Sequence, residues 1–360
     1  MAVKHLLIGS LEAYSGKSAT ILGLAQQLLS KDLQVAYGKP LSTLTAPVSP
    51  DGADEDIQFL RKTLGLAASQ LRPTILWLDT PRLLQRMQGG DQIDYQQQLG
   101  QYSEGNEGDL VVLEGPSTLN EGQLFDLSLA QMAAVVDAEI ILIVRGHSPK
   151  LVDALVDARQ CLGDRLLGVL INDIPDAQFD TFTNQVKPFL EAQQIAVFGL
   201  MPRSSLLRSV SVQELVEQLQ AEVLCGGDRL GLMVEQLTIG AMNVNSALKY
   251  FHKAINMAVV TGSDRTDLQL AALEASTQCL ILTGRFAPNT IVLNRADDLE
   301  IPVLLVDSDT LTTVEIVDRA FGQVRLHEAV KVDYIEHLFK EHFDLDRLLT
   351  LLGLAPALSA

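Results

Sequence analysis

The run Leu6-Leu7-Ile8-Gly9-Ser10-Leu11-Glu12-Ala13-Tyr14-Ser15-Gly16-Lys17-Ser18 constrains this chain more than any other stretch. It reads as a buried strand, a loop, and a Gly-Lys-Ser that opens a helix. Together these make a phosphate-binding loop, because the free N–H groups of a helix's first turn face an anion with the helix dipole behind them. In that arrangement Ser15, Gly16, Lys17, Ser18 and Ala19 line the phosphates, Lys17 reaches the β/γ-phosphates, and the Ser18 hydroxyl ligates Mg²⁺. Six residues separate Gly9 from Gly16, where the usual pattern has about four. The apolar run Val3–Ile8 before the loop and the amphipathic run Ala19–Leu29 after it supply the expected strand and helix.

With 360 residues, 47% of them hydrophobic, the chain can bury substantial cores and reads as two domains. A formal charge of −18 argues against a broad nucleic-acid surface and against adsorption to anionic lipid. The three cysteines, Cys161, Cys225 and Cys279, form no metal or redox motif. Without a signal pattern or a membrane-length apolar run, the expectation is a cytoplasmic protein with no membrane insertion.

Short apolar runs alternate with helical patterns from residue 1 to about 215. The strand candidates are Val3–Ile8, Val35–Tyr37, Ile75–Leu78, Leu110–Leu113, Ile140–Val144, Leu167–Ile171 and Val197–Leu200. Such strands between amphipathic helices imply an α/β fold, a parallel sheet with helices on both faces. The stretch from Gly89 to Gly108 reads as too hydrophilic for core, either a solvated helix or a lid. Cys225-Gly226-Gly227-Asp228 marks the expected boundary, giving a nucleotide-binding domain over 1–220 and a smaller α/β domain over 228–332. In the latter, Ala258–Thr261, Cys279–Thr283 and Val303–Val306 are strands, with helices beginning near Asp264, Pro288 and Thr310. Residues 333–360 form a C-terminal helical segment, with apolar residues from Tyr334 to Leu352 at helical spacing and a break near His342.

Several further motifs carry chemistry. Gly38-Lys39-Pro40 closes a strand; Asp54-Glu55-Asp56 precedes a helical run, where the acids either bind a metal or favour the helix N-terminus. Val111-Val112-Leu113-Glu114-Gly115-Pro116-Ser117 presents a carboxylate at the edge of the sheet where open α/β sheets bind ligands. Asn172 ends the run Gly168-Val169-Leu170-Ile171, as a turn residue or a reader of a purine edge. Taken in order, these motifs resemble dethiobiotin synthetase and, more nearly, the synthetase-like domain of long bacterial phosphotransacetylases. The resemblance implies ATP and Mg²⁺ as cofactors, Lys17 and Lys39 as catalytic residues, and Ser18, Asp56 and Glu114 at the metal, Asp54 being the alternative to Asp56. It also implies Asn172 and Pro202 at the nucleotide, with Arg203 either a further contact there or a partner in a surface salt bridge. The synthetase has Glu-Gly-Ala-Gly-Gly where this chain has Glu114-Gly115-Pro116-Ser117-Thr118, a departure that touches its substrate site.

Residues 228 to 330 resemble the DRTGG domain that accompanies the synthetase-like domain in those phosphotransacetylases. Gly262-Ser263-Asp264-Arg265-Thr266 keeps Asp-Arg-Thr, with Asp267 and Leu268 in place of the two glycines. Asp264 is expected to cap the next helix. The second-domain ligand candidates are Gly262, Asp264, Arg265, Gly284 and Arg285, for which the alternative is that the arginines pair with Asp264, Asp267 or Asp307. Nothing in the sequence resembles the acetyl-transferring domain.

Three functions follow as expectations: a nucleotide-dependent regulatory protein with slow ATP hydrolysis at most, an ATP-dependent ligase or carboxylase, and a non-catalytic scaffold. The partners expected are the nucleotide, a second copy of the chain through the second domain, and a protein partner, but not nucleic acid. If Asn172 reads the purine edge, Asn172→Ala lowers the preference for ATP over CTP more than it lowers fold stability, as paired calorimetric and denaturation titrations would register.

Overall fold

The computed structural model describes residues 3–43, 54–103, 108–284, 286–322, 326 and 328–354. The chain packs as two units, Met1–Arg203 with His327–Ala360, and Ser204–Leu326. Among the described residues no helix is long and apolar enough to cross a membrane.

The first unit is built on seven parallel strands, β1 (Lys4–Ser10), β2 (Val35–Gly38), β3 (Leu71–Arg72), β4 (Leu110–Glu114), β5 (Glu139–Arg145), β6 (Leu166–Ile174) and β7 (Ala196–Pro202), in the order β3-β2-β4-β1-β5-β6-β7. β1 is flanked on both sides, Ile8 registering with Glu114 and Ile141, so its apolar run is buried on both faces. One face, with Leu7, Val111, Leu113, Ile140 and Leu142, meets the helices Leu129–Val135 and Leu151–Leu162. The other carries α1 (Lys17–Ser30), which packs on β1 and β4.

Two expectations about this unit are corrected. Ile75–Leu78 does supply a strand, Leu76–Leu78, but it pairs with Leu41–Thr43 outside the main sheet. The edge of that sheet is the short β3, paired with Tyr37 and Gly38 just before Pro73, which has no N–H to extend a ladder. The stretch from Gly89 to Gly108 does reach the core: the helix Tyr95–Gly100 buries Tyr95 and Leu99, and Tyr102 follows them in. The Tyr95 ring meets Phe125 edge-on at 5.7 Å, and the Tyr95 hydroxyl donates to Asp91, so three apolar bodies are anchored within a polar sequence. Residues 104–107 lie outside the described ones.

The domain limits also differ from the expectation. The helix Val212–Leu219 buries Val212 and Leu215 with Val260, Ile281 and Leu304 of the second sheet, so the second unit begins well before Cys225. The C-terminal segment is no separate body. After α2 (Glu55–Leu64), the helices α3 (Ala329–His342) and α4 (Leu345–Leu352) return to the first unit, α3 against α1 and both against β7. The break between them falls at Phe343 and Asp344, where the Asp344 N–H donates to Phe198 O at 2.7 Å. Phe343 stacks at a tilt on Phe198 and Phe339.

In the second unit β8 (Glu222–Cys225) runs antiparallel to β12 (Val303–Val306), and β9 (Gln236–Gly240), β10 (Met257–Gly262) and β11 (Thr277–Thr283) complete a sheet in the order β8-β12-β11-β10-β9. The last four strands are parallel, each pair bridged by a helix: Val244–Phe251, Thr266–Leu273 and Thr290–Asp298. All three fill one face with Met257, Val259, Leu280 and Leu282.

The close approach of α3 to α1 has a testable cost. A Cβ on Gly23 would lie 2.4 Å from the buried ring of Phe339. Gly23→Ala should therefore lower unfolding free energy by about 1–3 kcal/mol in urea melts, despite the better helix propensity of alanine.

Candidate nucleotide-binding site

The carboxyl ends of β1 and its neighbours gather the site. Gly16 caps α1 in the left-handed conformation at φ 99°, and no side chain satisfies the first-turn N–H groups from that position. Glycine is required twice over, because a Cβ there would also come 2.3 Å from Asn172 Nδ2. Lys17 is buried, its Nζ 3.3 Å from Ser10 Oγ. Burial pulls its pKa down against the opposing pull of Glu114 and Glu121. The Ser10 hydroxyl in turn lies 2.9 Å from Glu12 O and 2.8 Å from Ser117 O, tying the loop to the turn after β4. Ser15 Oγ is buried with no hydrogen-bond partner, an orphan polar atom in the cradle itself.

Glu114 ends β4 and is buried. Its Oε1 accepts from Ser18 Oγ at 3.4 Å and its Oε2 from Tyr37 OH at 3.0 Å. Burial pushes this carboxyl up and Asp56 adds to that, while Lys39, Lys17 and the Tyr37 hydrogen bond oppose it. Burial and Glu114 also raise Tyr37, which keeps the phenol a donor. The Ser18 hydroxyl and Glu114 carboxylate are hard oxygen donors of the kind Mg²⁺ takes beside phosphates and water. Among the described residues no group of three or more His, Cys, Asp or Glu side chains could hold a metal unaided. The fit is therefore to an ion that arrives with phosphate oxygens.

Lys39 sits between two aspartates, 2.7 Å from Asp56 Oδ2 and 3.0 Å from Asp54 Oδ2. Burial alone would lower its pKa; Glu114, Asp56 and Asp54 outweigh that and raise it. Asp54 pays a burial penalty too, overcome by Lys39 and by the 2.5 Å hydrogen bond from Ser42, so its carboxyl lies below the ordinary value. Asp54 is also the N-cap of α2, accepting from Asp56 N at 2.9 Å, and Glu55 and Asp56 fill the first turn. The acidic cluster thus starts the helix as well as holding Lys39.

On the other side of β1, the ends of β5, β6 and β7 carry a second polar group. Asn172 Nδ2 donates to Ser15 O at 2.9 Å and so fastens the phosphate loop, a role the sequence reading did not anticipate. The next residue, Asp173, adopts φ 54° and receives Arg203 Nε at 2.8 Å and His147 Nε2 at 2.9 Å. Pro202 ends β7 immediately before Arg203. Glu12, within the loop, pairs with Arg145 at the end of β5 at 3.0 Å. The sequence reading also missed Tyr37 and Asp173. Tyr37 was signalled only by a hydroxyl just before Gly38-Lys39-Pro40, and Asp173 by its position beside Asn172.

In the second unit, Gly262 ends β10 with Asp264 and Arg265 following it, and Gly284 follows β11 with φ 96°. Arg285 lies outside the described residues. Asp264 is not the cap expected of it: the N-cap of Thr266–Leu273 is Arg265, with no side-chain capping bond, since the turn closes through Arg265 N to Gly262 O at 3.1 Å. Arg265 reaches Asp267 at 3.3 Å and Met242 O at 3.1 Å. Gln269 Nε2 holds Gly262 O at 2.8 Å, so the loop is fastened from beneath.

The Lys39 cluster gives a pH-dependent prediction. The lowered Asp54 pKa contributes stability that is present above the ordinary 3.8 and is lost as pH falls through its folded value. The raised Lys39 pKa contributes stability that is present below 10.5 and is lost as pH rises beyond it. Lys39→Met strands Asp54 without its cation and should cost about 3 kcal/mol at neutral pH. Urea melts across pH should find the deficit widest between these limits and shrinking in acid.

Comparison with known proteins places these observations. A family model described as AAA domain matches residues 4–211, and one described as DRTGG domain matches residues 214–320. The phosphate acetyltransferases of Nitratidesulfovibrio vulgaris and Synechocystis are 25% and 24% identical to the chain over 96% of its length and 51% of theirs. The chain thus spans about half the length of these curated relatives. Among solved structures, the CBS and DRTGG domains of the regulatory region of Clostridium perfringens pyrophosphatase, complexed with the activator diadenosine tetraphosphate, share 18% identity. That match covers 48% of this chain and 70% of the other, with a TM-score of 0.27. MinD cell division protein of Aquifex aeolicus shares 14%, covering 57% and 84%, with a TM-score of 0.35. Because the first family match takes in more than half of the 360 residues, and the P-loop stands within it, the chain belongs to the AAA domain family, with a DRTGG domain following its nucleotide-binding domain.

Proposed function

We propose that the protein is a cytoplasmic ATP-binding regulator in which nucleotide occupancy of the first unit governs a ligand or a self-association surface of the second. The observation that carries the nucleotide reading is the buried Lys17 beside the Ser18–Glu114 pair, at the start of a helix whose glycine cap offers no side-chain hydrogen bond. Lys17 would exchange its contact with Ser10 for the β/γ-phosphates, and Ser18 and Glu114 would hold Mg²⁺, which neutralises phosphate charge. Asp56, drawn to Lys39, would approach that ion only on leaving the lysine.

Lys39 also supports a regulator over a ligase. A ligase-like site needs this ammonium free for substrate, whereas here two aspartates hold it, and the Pro116-Ser117 turn is drawn onto Ser10. Slow ATP hydrolysis at most accords with that arrangement. The second-unit candidates Gly262, Asp264, Arg265, Gly284 and Arg285 remain the proposed ligand contacts.

Calorimetric titration with ATP and ADP, with and without Mg²⁺, tests the reading. Lys17→Ala should weaken ATP by about 30- to 150-fold, the value of a charge-assisted contact of about 2–3 kcal/mol. Glu114→Gln should remove most of the Mg²⁺ dependence while leaving binding in a chelator intact. A nucleotide-dependent change in oligomer size or partner affinity would support regulation; robust product from diaminopelargonic acid, bicarbonate and ATP would overturn it in favour of a ligase.

A further inference from the structure

The two sides of the phosphate loop are chemically unlike. Toward β4 and β2 lie Glu114, Lys39 and the acids of α2, the groups suited to Mg²⁺ and the terminal phosphate. A nucleotide laid with its terminal phosphate there must extend its ribose and base the other way, across the ends of β5, β6 and β7. Those ends carry His147, Asn172, Asp173 and Arg203.

A free carboxylate at that place would select guanine, whose N1–H and N2–H donors a pair of carboxylate oxygens accepts; adenine offers an acceptor at N1 instead. Asp173 is that carboxylate, and it is already engaged. Arg203 Nε meets Oδ1 at 2.8 Å, Arg203 Nη2 is 3.5 Å from Oδ2, and His147 Nε2 is 2.9 Å from Oδ2. An ionised carboxylate only accepts, so His147 carries its proton on Nε2 in this contact. The Asp173 side chain is only 15% exposed, and its backbone is left-handed at φ 54°. Arg203 is fixed as well, through its N–H to Ile174 O at 2.8 Å.

We propose that the Arg203–Asp173–His147 group makes the base site choose adenine over guanine, by occupying the Asp173 carboxylate that guanine would otherwise use. This rests on the nucleotide reading above and adds the base to it. Asp173 is the specificity residue; Arg203 and His147 act through it as positioning residues.

The test compares ATP and GTP, each with Mg²⁺, by calorimetry on the full chain. The parent should prefer ATP by about tenfold or more, because guanine's N1–H and N2–H donors would be left unpaired beside the donors of Arg203 and His147, an unpaired buried polar group costing about 1–3 kcal/mol. The double variant His147→Ala/Arg203→Ala frees Asp173 and should tighten GTP binding by about tenfold or more, the gain being read on GTP itself because Arg203 borders the nucleotide. Adding Asp173→Asn, which tolerates the same backbone conformation, should abolish the gain in GTP binding, a reversal that loosened packing would not produce. Equal binding of ATP and GTP by the parent, or no gain in GTP affinity by the double variant while ATP still binds, would overturn the specificity proposal and leave the nucleotide reading standing. Failure of the parent to bind either nucleotide would overturn both.

Discussion

Four ionisable side chains meet where the central strands of the first sheet end, and the local structure is arranged around keeping them there. Lys17, Glu114, Lys39 and Asp54 are all largely withdrawn from water. Each would be costly alone; together, with Tyr37 and Ser42 supplying hydrogen bonds, they satisfy one another. Along their middle the central strands carry buried aliphatic side chains such as Leu7, Val112 and Leu142. The four charges stand at the strand ends, the edge at which open α/β sheets meet ligands.

The cluster accounts for features that otherwise look unrelated. The acids before α2 cap that helix and also anchor Lys39, so the start of α2 is set by the same contacts that neutralise the lysine. The lowered pKa of Lys17 and the raised pKa of Glu114 mark a pair held at the expense of solvation. Such groups relax when phosphate oxygens and a hydrated cation are supplied, which is the physical argument for reading the site as poised for a ligand. On the far side of β1 the arrangement is different. There Asp173 pairs with Arg203 and accepts from His147, and all three are partly exposed.

How much of this was legible beforehand depends on how local the cause is. The phosphate loop was, because a strand, Gly16-Lys17-Ser18 and an amphipathic helix are consecutive in the chain. The apolar strand runs were, since a parallel strand covered on both faces writes itself as continuous Val, Ile and Leu. The reading of Gly89 to Gly108 went astray because Tyr95, Leu99 and Tyr102 bury their rings or aliphatic bodies amid glutamines that stay wet, a pattern of too few apolar residues to register.

By itself, then, the sequence determined the α/β class, the strand–loop–helix of the P-loop, and the helical character of the C-terminal segment, because period and loop chemistry are properties of neighbouring residues. Only the tertiary structure decided that this segment comes back to cover α1 and β7, that Lys39 is held by Asp54 and Asp56, and that Asn172 fastens the phosphate loop while Asp173 is closed off by Arg203 and His147. Those pairings join residues far apart in the chain, and their partners are fixed by which strand ends the sheet order sets side by side.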